Sequence, residues 1–152
     1  MSIRLELNNA LKEAMKSKDN VALSTVRLIL AALKDRDISV RSKGQNEGVT
    51  DADIMSMLQT MIKQRNESAK TYKDAGRDEL AQRERDEITV IKKFLPTQLE
   101  GSELNAVIDK AIVESGAQSV KDMGKVMAVL KENYAGQIDM GKAGPTVRER
   151  LA

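Results

Sequence analysis

Apolar residues recur at every third or fourth position along most of this chain, which is the spacing of one buried face of an α-helix. A first such stretch ends in a short polar join at residues 17–20, and a second begins near Asp19 or Asn20. A join this short pairs two helices antiparallel. The apolar positions of the first helix are Ile3, Leu7, Ala10, Leu11, Ala14 and Met15, and those of the second are Leu23, Val26, Leu30 and Leu33.

A loop and a helical hairpin are predicted next. Residues 39–49 combine glycines and mixed charge without an apolar period, so they predict a mobile loop. Thr50 is a good N-cap residue and opens a long third helix, which Gly76 ends in a left-handed conformation. A fourth helix runs from about Asp78 until Pro96, which cannot continue the hydrogen-bond ladder; the residues that define its face are Leu80, Glu84, Ile88, Ile91 and Leu95. The third and fourth helices therefore form a hairpin.

The chain has one clear boundary, at residues 95–101, where a proline, a glycine and a change of charge coincide. Shorter helices follow this boundary, the first of them ending at Gly116, and no stretch alternates as a β-strand does. The sequence therefore predicts an all-α protein. A four-helix domain with the long hairpin covers residues 1–96, and a small three-helix bundle covers residues 97–152.

Two Asp-Met-Gly-Lys tetrapeptides, at residues 122–125 and 139–142, mark the carboxyl-terminal bundle. Ser119 is predicted to open the helix that contains the first of them. Gly124 would then lie inside a helix at a cost of about 1 kcal/mol, which predicts that another surface, a neighbouring helix or a ligand, approaches it closely. The last helix has two possible starts, at an Asp139 cap or with Pro145 in its first turn.

Composition limits the chemistry available to this chain. It contains no histidine and no cysteine, which excludes thiol nucleophiles and every zinc site or catalytic triad that needs an imidazole. The carboxylates, amines, phenols and hydroxyls that remain usually need buried positions and shifted pKa values for acid–base catalysis. We therefore expect a binding protein without a catalytic site, cofactor or metal of its own.

The charge is dense but nearly balanced, with 25 Lys and Arg against 23 Asp and Glu. Residues 1–99 carry 18 basic and 15 acidic side chains, and residues 100–152 carry 7 and 8. Neither part is a polycation, so any contact with nucleic acid must be local. No apolar run is long enough to span a membrane and no secretory leader is evident, so the expected location is cytoplasmic.

Several motifs occur in one order along the chain. They are Leu23-Ser24-Thr25-x-Arg27, Lys63-Gln64-Arg65-x-Glu67-Ser68 with Tyr72, Ala75, Gly76 and Arg77, Leu95-Pro96-x-Gln98-Leu99, and Lys121-Asp122-Met123-Gly124-Lys125-Val126-Met127. Together they resemble the YqeY family over the whole chain. The carboxyl-terminal half also resembles the tail domain of the B subunit of glutamine-dependent aminoacyl-tRNA amidotransferases.

The resemblance implies an RNA-contacting appendage, because ammonia production and the ATP-dependent step belong to other domains of that larger enzyme. It also carries a family-level label, carbon–nitrogen ligase with glutamine as amide donor. The chain departs from the commoner family pattern after Gly136. Residues 139–142 hold one extra residue, and Gly144-Pro145 is predicted to interrupt the last helix.

The candidate RNA-binding residues are Lys121, Gly124, Lys125, Lys142 and Arg148. The four cations would converge on a phosphate backbone, with helix amino termini near Ser119 and Asp139 offering N–H groups. The alternative is a solvated surface on which Gly124 makes room for a neighbouring helix. Asp122 and Asp139 oppose phosphate contact unless their carboxylates cap backbone donors.

A second candidate site combines polar side chains of the second and third helices. Its residues are Arg27, Lys34, Gln64, Arg65, Ser68 and Tyr72. Guanidinium and hydroxyl donors suit a phosphate or a carboxylate. The alternative is an interhelical seam of salt bridges and hydrogen bonds with Glu67 or Glu84.

Three functions follow from these observations. The first is an accessory protein that binds tRNA or another structured RNA. The second is a helical adaptor that docks a partner protein through the amino-terminal helical hairpin. The third is the amidotransferase-linked activity that the resemblance carries.

Overall fold

The computed structural model describes residues 2–152, and every regular element among them is helical. The helices are α1 (Ile3–Ser17), α2 (Asn20–Arg41), α3 (Asp51–Asp74), α4 (Asp78–Lys92), α5 (Gly101–Ser115), α6 (Met123–Asn133) and α7 (Met140–Leu151), and a 3₁₀ turn at Val120–Asp122 precedes α6. The prediction of an all-α protein is confirmed. The chain forms two compact units, an amino-terminal unit that ends at Leu95 and a carboxyl-terminal unit that begins at Pro96.

Local capping sets the starts of the helices in the amino-terminal unit. The Asp19 carboxylate accepts the N–H of Ala22 at 3.1 Å and opens α2. The Thr50 hydroxyl accepts the N–H of Asp53 at 3.2 Å and opens α3, as the sequence predicts. Gly76 follows α3 with a φ of +72°. The turn that contains it lets α4 pack along α3 as the predicted hairpin.

The core of the amino-terminal unit is aliphatic, with methionine as the flexible filler. Its fully buried side chains are Leu7, Val26, Ile29, Ile54, Met57, Leu58 and Ile91. Two predicted core positions are wrong. Met15 is 54% exposed, because α1 turns Ala14 inward and the next residue points 100° away. Leu80 is 43% exposed, since the buried face of α4 starts one residue later, at Ala81.

The loop after α2 is held against both helices of the first pair. We call its anchor the Asp37 latch, which comprises Arg4, Asp37, Gly48 and Val49. The two nitrogens Nη1 and Nη2 of Arg4 donate to the Asp37 carboxylate at 2.7 and 2.6 Å. Asp37 Oδ1 also accepts the N–H of Val49 at 3.0 Å, and Arg4 Nη2 donates to the Val49 carbonyl at 3.0 Å. The predicted loop boundary is wrong, because α2 continues through residue 41.

The Asp37 latch should weaken in acid. Hydrogen bonding to Arg4 lowers the pKa of Asp37 from 3.8 to about 2, so the native state resists protonation more than the unfolded chain does. This stabilisation is complete above about pH 4 and disappears as the pH falls towards 2. The Arg4 side chain is 34% exposed, and solvent screening limits the effect to about 1 kcal/mol.

The measurement is urea unfolding of the wild type and of Asp37→Asn at pH 6 and at pH 2.5. The difference between the two proteins should be clear at pH 6 and small at pH 2.5. An equal difference at both pH values would show that the carboxylate charge plays no part.

The carboxyl-terminal unit packs α5, α6 and α7 against one another. Its fully buried side chains are Ile108, Val126, Leu130, Ile138, Ala143 and Val147. Gly116 caps the end of α5 with a φ of +69°, as predicted. The Asp139 carboxylate accepts the N–H of Gly141 at 2.9 Å and opens α7. The first of the two predicted starts is therefore observed.

Pro145 lies inside α7 and does not interrupt it, which corrects the prediction. The proline deprives the carbonyl of Gly141, one turn earlier, of its helical donor. Gly141 and Pro145 are both exposed, so water can satisfy that carbonyl. The helix continues to Leu151, which is buried in the core of the unit.

Candidate nucleic-acid interface

The segment after Pro96 is bound to the loop that leads into α7. The Gln98 amide nitrogen Nε2 donates to the carbonyls of Pro96 and Gly136 at 2.9 and 2.6 Å. The N–H of Leu99 donates to the carbonyl of Gln137 at 2.8 Å. The Pro-x-Gln-Leu motif therefore fixes the loop before Asp139, and with it the start of α7. Spacing along the sequence does not reveal this long-range contact.

Lys121 and Lys125 flank the start of α6, and both are exposed. Ser119 occupies the N-cap position of the 3₁₀ turn that leads into α6 at Met123, but its side chain makes no capping hydrogen bond, so the predicted side-chain cap is wrong. The N–H of Met123 donates to the carbonyl of Val120 inside that turn. The N–H of Met123 is therefore already bonded, and the two lysine side chains supply the positive charge at this end of α6.

The carboxylate next to these lysines is already occupied. Asp122 Oδ2 accepts the N–H of Gln118 at 3.0 Å, and Asp122 Oδ1 lies 3.7 Å from Lys125 Nζ. The backbone hydrogen bond, with the positive charge of Lys125, lowers the pKa of Asp122. Asp139 is likewise engaged by its cap. Both carboxylates thus hold backbone donors, which is the condition under which they tolerate a neighbouring phosphate.

Gly124 lies in the first turn of α6 with open space where a side chain would begin. A Cβ atom there would meet no atom within 4 Å outside its own helix backbone and chain neighbours. No neighbouring helix in the described part of the chain approaches Gly124, so the alternative that it makes room for one is wrong. The exposed glycine leaves the surface between Lys121 and Lys125 unobstructed.

The two cations of α7 point in different directions. Lys142 and Arg148 are six residues apart, which places them about 120° apart around the helix. Arg148 follows Gly144 by one turn, and a Cβ on Gly144 would lie 3.7 Å from Met123 Cε at the start of α6. Lys142 instead lines a surface cavity of about 280 Å³ together with Gln98 and Asp139. The four predicted cations therefore do not converge on a single site.

The second candidate site is mostly an internal seam. Arg65 Nε donates to Glu87 Oε2 at 2.9 Å, and Arg65 Nη1 donates to the carbonyl of Met61 at 3.2 Å. Arg83 Nε donates to Glu87 Oε1 at 3.3 Å, and Arg83 Nη2 donates to Ser24 Oγ at 3.0 Å. The partner of Arg65 is thus Glu87, and the predicted partners Glu67 and Glu84 are wrong.

The other members of that predicted site are not brought together with Arg65. Helix α2 packs mainly against α1 and α4, so Arg27 and Lys34 do not face the polar side of α3. Gln64 is exposed, and Ser68 and Tyr72 are half-buried along α3. Burial and repulsion from Glu87 raise the pKa of Glu84 nearby. Among residues 2–152, no cluster of three or more acidic residues could hold a metal ion.

Comparison with known proteins places the chain among named relatives. A family model described as "Yqey-like protein" matches residues 4–151. The chain is 32% identical over 127 residues to "Altered inheritance of mitochondria protein 41, mitochondrial" of Pyrenophora tritici-repentis, a match that covers 80% of this chain and 67% of the relative. It is 29% identical over 140 residues to the protein of the same name from Saccharomyces cerevisiae, covering 92% and 71% of the two chains.

These names contradict the expected cytoplasmic location, because they describe the relatives as mitochondrial. Composition carries little information on the cellular compartment. The absence of cysteine and a balanced charge are each compatible with several compartments. Of the helices in the described part of the chain, none has the length and apolar character of a membrane span.

Proposed function

The chain belongs to the Yqey-like protein family, and from the surface of its carboxyl-terminal unit we propose that it binds tRNA or another structured RNA. The observation that carries the proposal is the start of α6, where exposed Lys121 and Lys125 flank the unobstructed Gly124. The acidic neighbour, Asp122, is held by a backbone donor. A phosphate backbone could therefore meet two amines without meeting a free carboxylate.

Arg148 and Lys142 would each form a contact apart from that of Lys121 and Lys125. Arg148 follows Gly144, which lies close to Met123, and Met123 is about 160° from Lys125 around α6. Lys142 lies at the cavity beside Gln98, so it would meet a different part of the RNA. Few cations take part, so we expect modest affinity and weak sequence preference, because phosphate contacts position an RNA without reading its bases.

Charge reversal at the start of α6 should weaken RNA binding. We expect Lys125→Glu and Lys121→Glu each to lower the affinity of the full chain for unmodified tRNA about tenfold at low salt. Each should also reduce the slope of log affinity against log salt by about one. Fluorescence anisotropy with labelled tRNA at several salt concentrations measures both quantities.

The matched control is Lys131→Glu, an exposed lysine at the other end of α6. It makes the same change of net charge, so it should have a much smaller effect if the contact is local. Equal losses in all three variants would indicate a non-specific charge effect. Unchanged affinity in the Lys121 and Lys125 variants would rule out this surface.

The glutamine-dependent ligase activity is not part of this proposal. Only the resemblance of the carboxyl-terminal half to the tail domain of the larger enzyme suggests this activity. Ammonia release from glutamine by the purified full chain, with and without ATP and tRNA, would test it directly.

A further inference from the structure

A concave surface lies between α1 and α2, apart from the RNA-binding surface proposed above. We call it the α1–α2 groove. Its volume is about 330 Å³. Leu30 and Leu33 contribute apolar walls, and Ile38 lines it with 54% of its own surface exposed. The groove therefore offers apolar contact area that the fold itself leaves partly uncovered.

Basic side chains run along the same face of α2. Arg27, Lys34 and Arg41 are seven residues apart, so they lie in one row with a rise of about 10.5 Å between neighbours. All three are exposed, and no ion pair within 4.0 Å involves any of them in residues 2–152. Lys34 and Arg41 line the groove directly.

The one carboxylate of the groove does not neutralise this row. Asp37 lines the groove, but both of its oxygens accept hydrogen bonds from Arg4. The Arg4–Asp37 pair is electrically neutral as a unit, so the net charge of the groove comes from Lys34 and Arg41. An acidic ligand would meet two cations without displacing an existing pair.

We propose that the α1–α2 groove binds an acidic amphipathic helix of a partner protein. A helix with glutamates or aspartates every seventh residue repeats its charge at the spacing of the basic row. Its apolar side chains, at the intervening positions, would fill the groove between Leu30 and Ile38 as anchors at i, i+3 and i+4 do in other helix-in-groove complexes. This complementarity in both charge and shape identifies the occupant.

The pattern fits a helix better than a nucleic acid or a lipid surface. Half-buried Leu30 and exposed Ile38 interrupt the row of cations, whereas a phosphate backbone favours continuous polar contact. A membrane surface is broad, and it would not fill a concave groove between two helices. The partner would therefore dock on α1 and α2. It would not dock on α3 and α4, where Arg65, Arg83 and Glu87 bond with one another.

The test uses the full chain and a designed, labelled 21-residue helical peptide with leucines at the two core positions of each heptad and glutamates beside them. We expect binding in the micromolar range by fluorescence anisotropy. The double variant Lys34→Glu/Arg41→Glu, and separately Ile38→Asp, should each weaken it at least tenfold. A peptide with lysines in place of the glutamates should not bind.

Arg36→Glu is the matched control, because Arg36 is exposed on α2 but lies far around the helix from Lys34. It should bind the peptide like the wild type. Circular dichroism confirms that each variant is folded, and these side chains are surface residues whose substitution should leave the core intact. Lys121→Glu should also leave peptide binding unchanged, which separates this proposal from the RNA proposal.

Two results would overturn the inference. The first is equal peptide binding by the wild type and the groove variants, or no binding at all. The second is a Lys34→Glu/Arg41→Glu variant that keeps its affinity for the peptide but loses binding to tRNA or to vesicles rich in anionic lipid. That outcome would assign the basic row to nucleic acid or to lipid.

Discussion

Replacing Gly48 with alanine should lower the free energy of unfolding of the amino-terminal unit by about 3 kcal/mol. Gly48 has a φ of +85°, a left-handed conformation that alanine adopts at a cost of about 1 kcal/mol. A Cβ atom at this position would also lie 2.8 Å from Arg4 Nη2 and closer still to Asp37 Oδ1. The methyl group would therefore force apart the two side chains that form the Asp37 latch.

Gly44 provides the matched control within the same loop. It also has a positive φ, of +92°, but a Cβ there would meet nothing within 4 Å. Gly44→Ala should therefore cost only the conformational term of about 1 kcal/mol. The difference between the two variants isolates the collision with Arg4 and Asp37.

Hydrogen exchange followed by mass spectrometry is the appropriate measurement, because peptides that precede Leu95 report on the amino-terminal unit alone. Urea unfolding of the full chain gives the corresponding free energy. If Gly48→Ala and Gly44→Ala were destabilised equally, the latch would contribute nothing beyond backbone strain. If Gly48→Ala retained wild-type protection in α1 and α2, the loop would not be held by this contact.

The parts of the fold that could be predicted from the sequence depend on local physics. The caps at Asp19 and Thr50 and the left-handed end at Gly116 each follow from a residue and its neighbours within one turn. Helical spacing then identifies the apolar face to within one residue. At Leu80 the prediction is wrong by one residue, because the spacing does not show which of two adjacent positions will be buried.

The Asp37 latch and the hydrogen bond from Gln98 to the carbonyl of Gly136 could not be predicted in this way. Arg4 and Asp37 are 33 residues apart, and Gln98 lies 38 residues from Gly136. Their pairing depends on how complete helices pack, which spacing within one helix does not reveal. The sequence does not distinguish Gly48 from a flexible loop residue, because the atoms beside it belong to Arg4 and Asp37, which are distant along the chain.

The positions of the candidate RNA-binding residues could be predicted in part. The seven-residue motif at the start of α6 identified Lys121 and Lys125, which flank one exposed turn. Helical geometry separates Lys142 from Arg148 and could have been applied to the sequence, but the start of α7 was undecided between Asp139 and Pro145. Without that start, the register of the last helix was unknown.

Loss of the Glu87 carboxylate should destabilise the hairpin by about 3 kcal/mol. The side chains of Glu87 and Arg65 are only 13% and 14% exposed, so Glu87→Ala would leave the Arg65 guanidinium buried beside a single carbonyl acceptor, that of Met61. Urea unfolding of the full chain measures this loss. Glu67→Ala is the control, because Glu67 is exposed on the same helix as Arg65 and should change stability by less than about 0.5 kcal/mol.

Two further measurements distinguish a buried charge from lost packing. The double variant Arg65→Met/Glu87→Leu should recover most of the lost stability, because an apolar pair of similar volume removes the unpaired charge. In Glu87→Gln, the pKa of Glu84 should fall, since repulsion from Glu87 helps to raise it. If the double variant were as unstable as Glu87→Ala and the pKa of Glu84 did not change, the seam would act through shape alone, and its charges would not stabilise the fold.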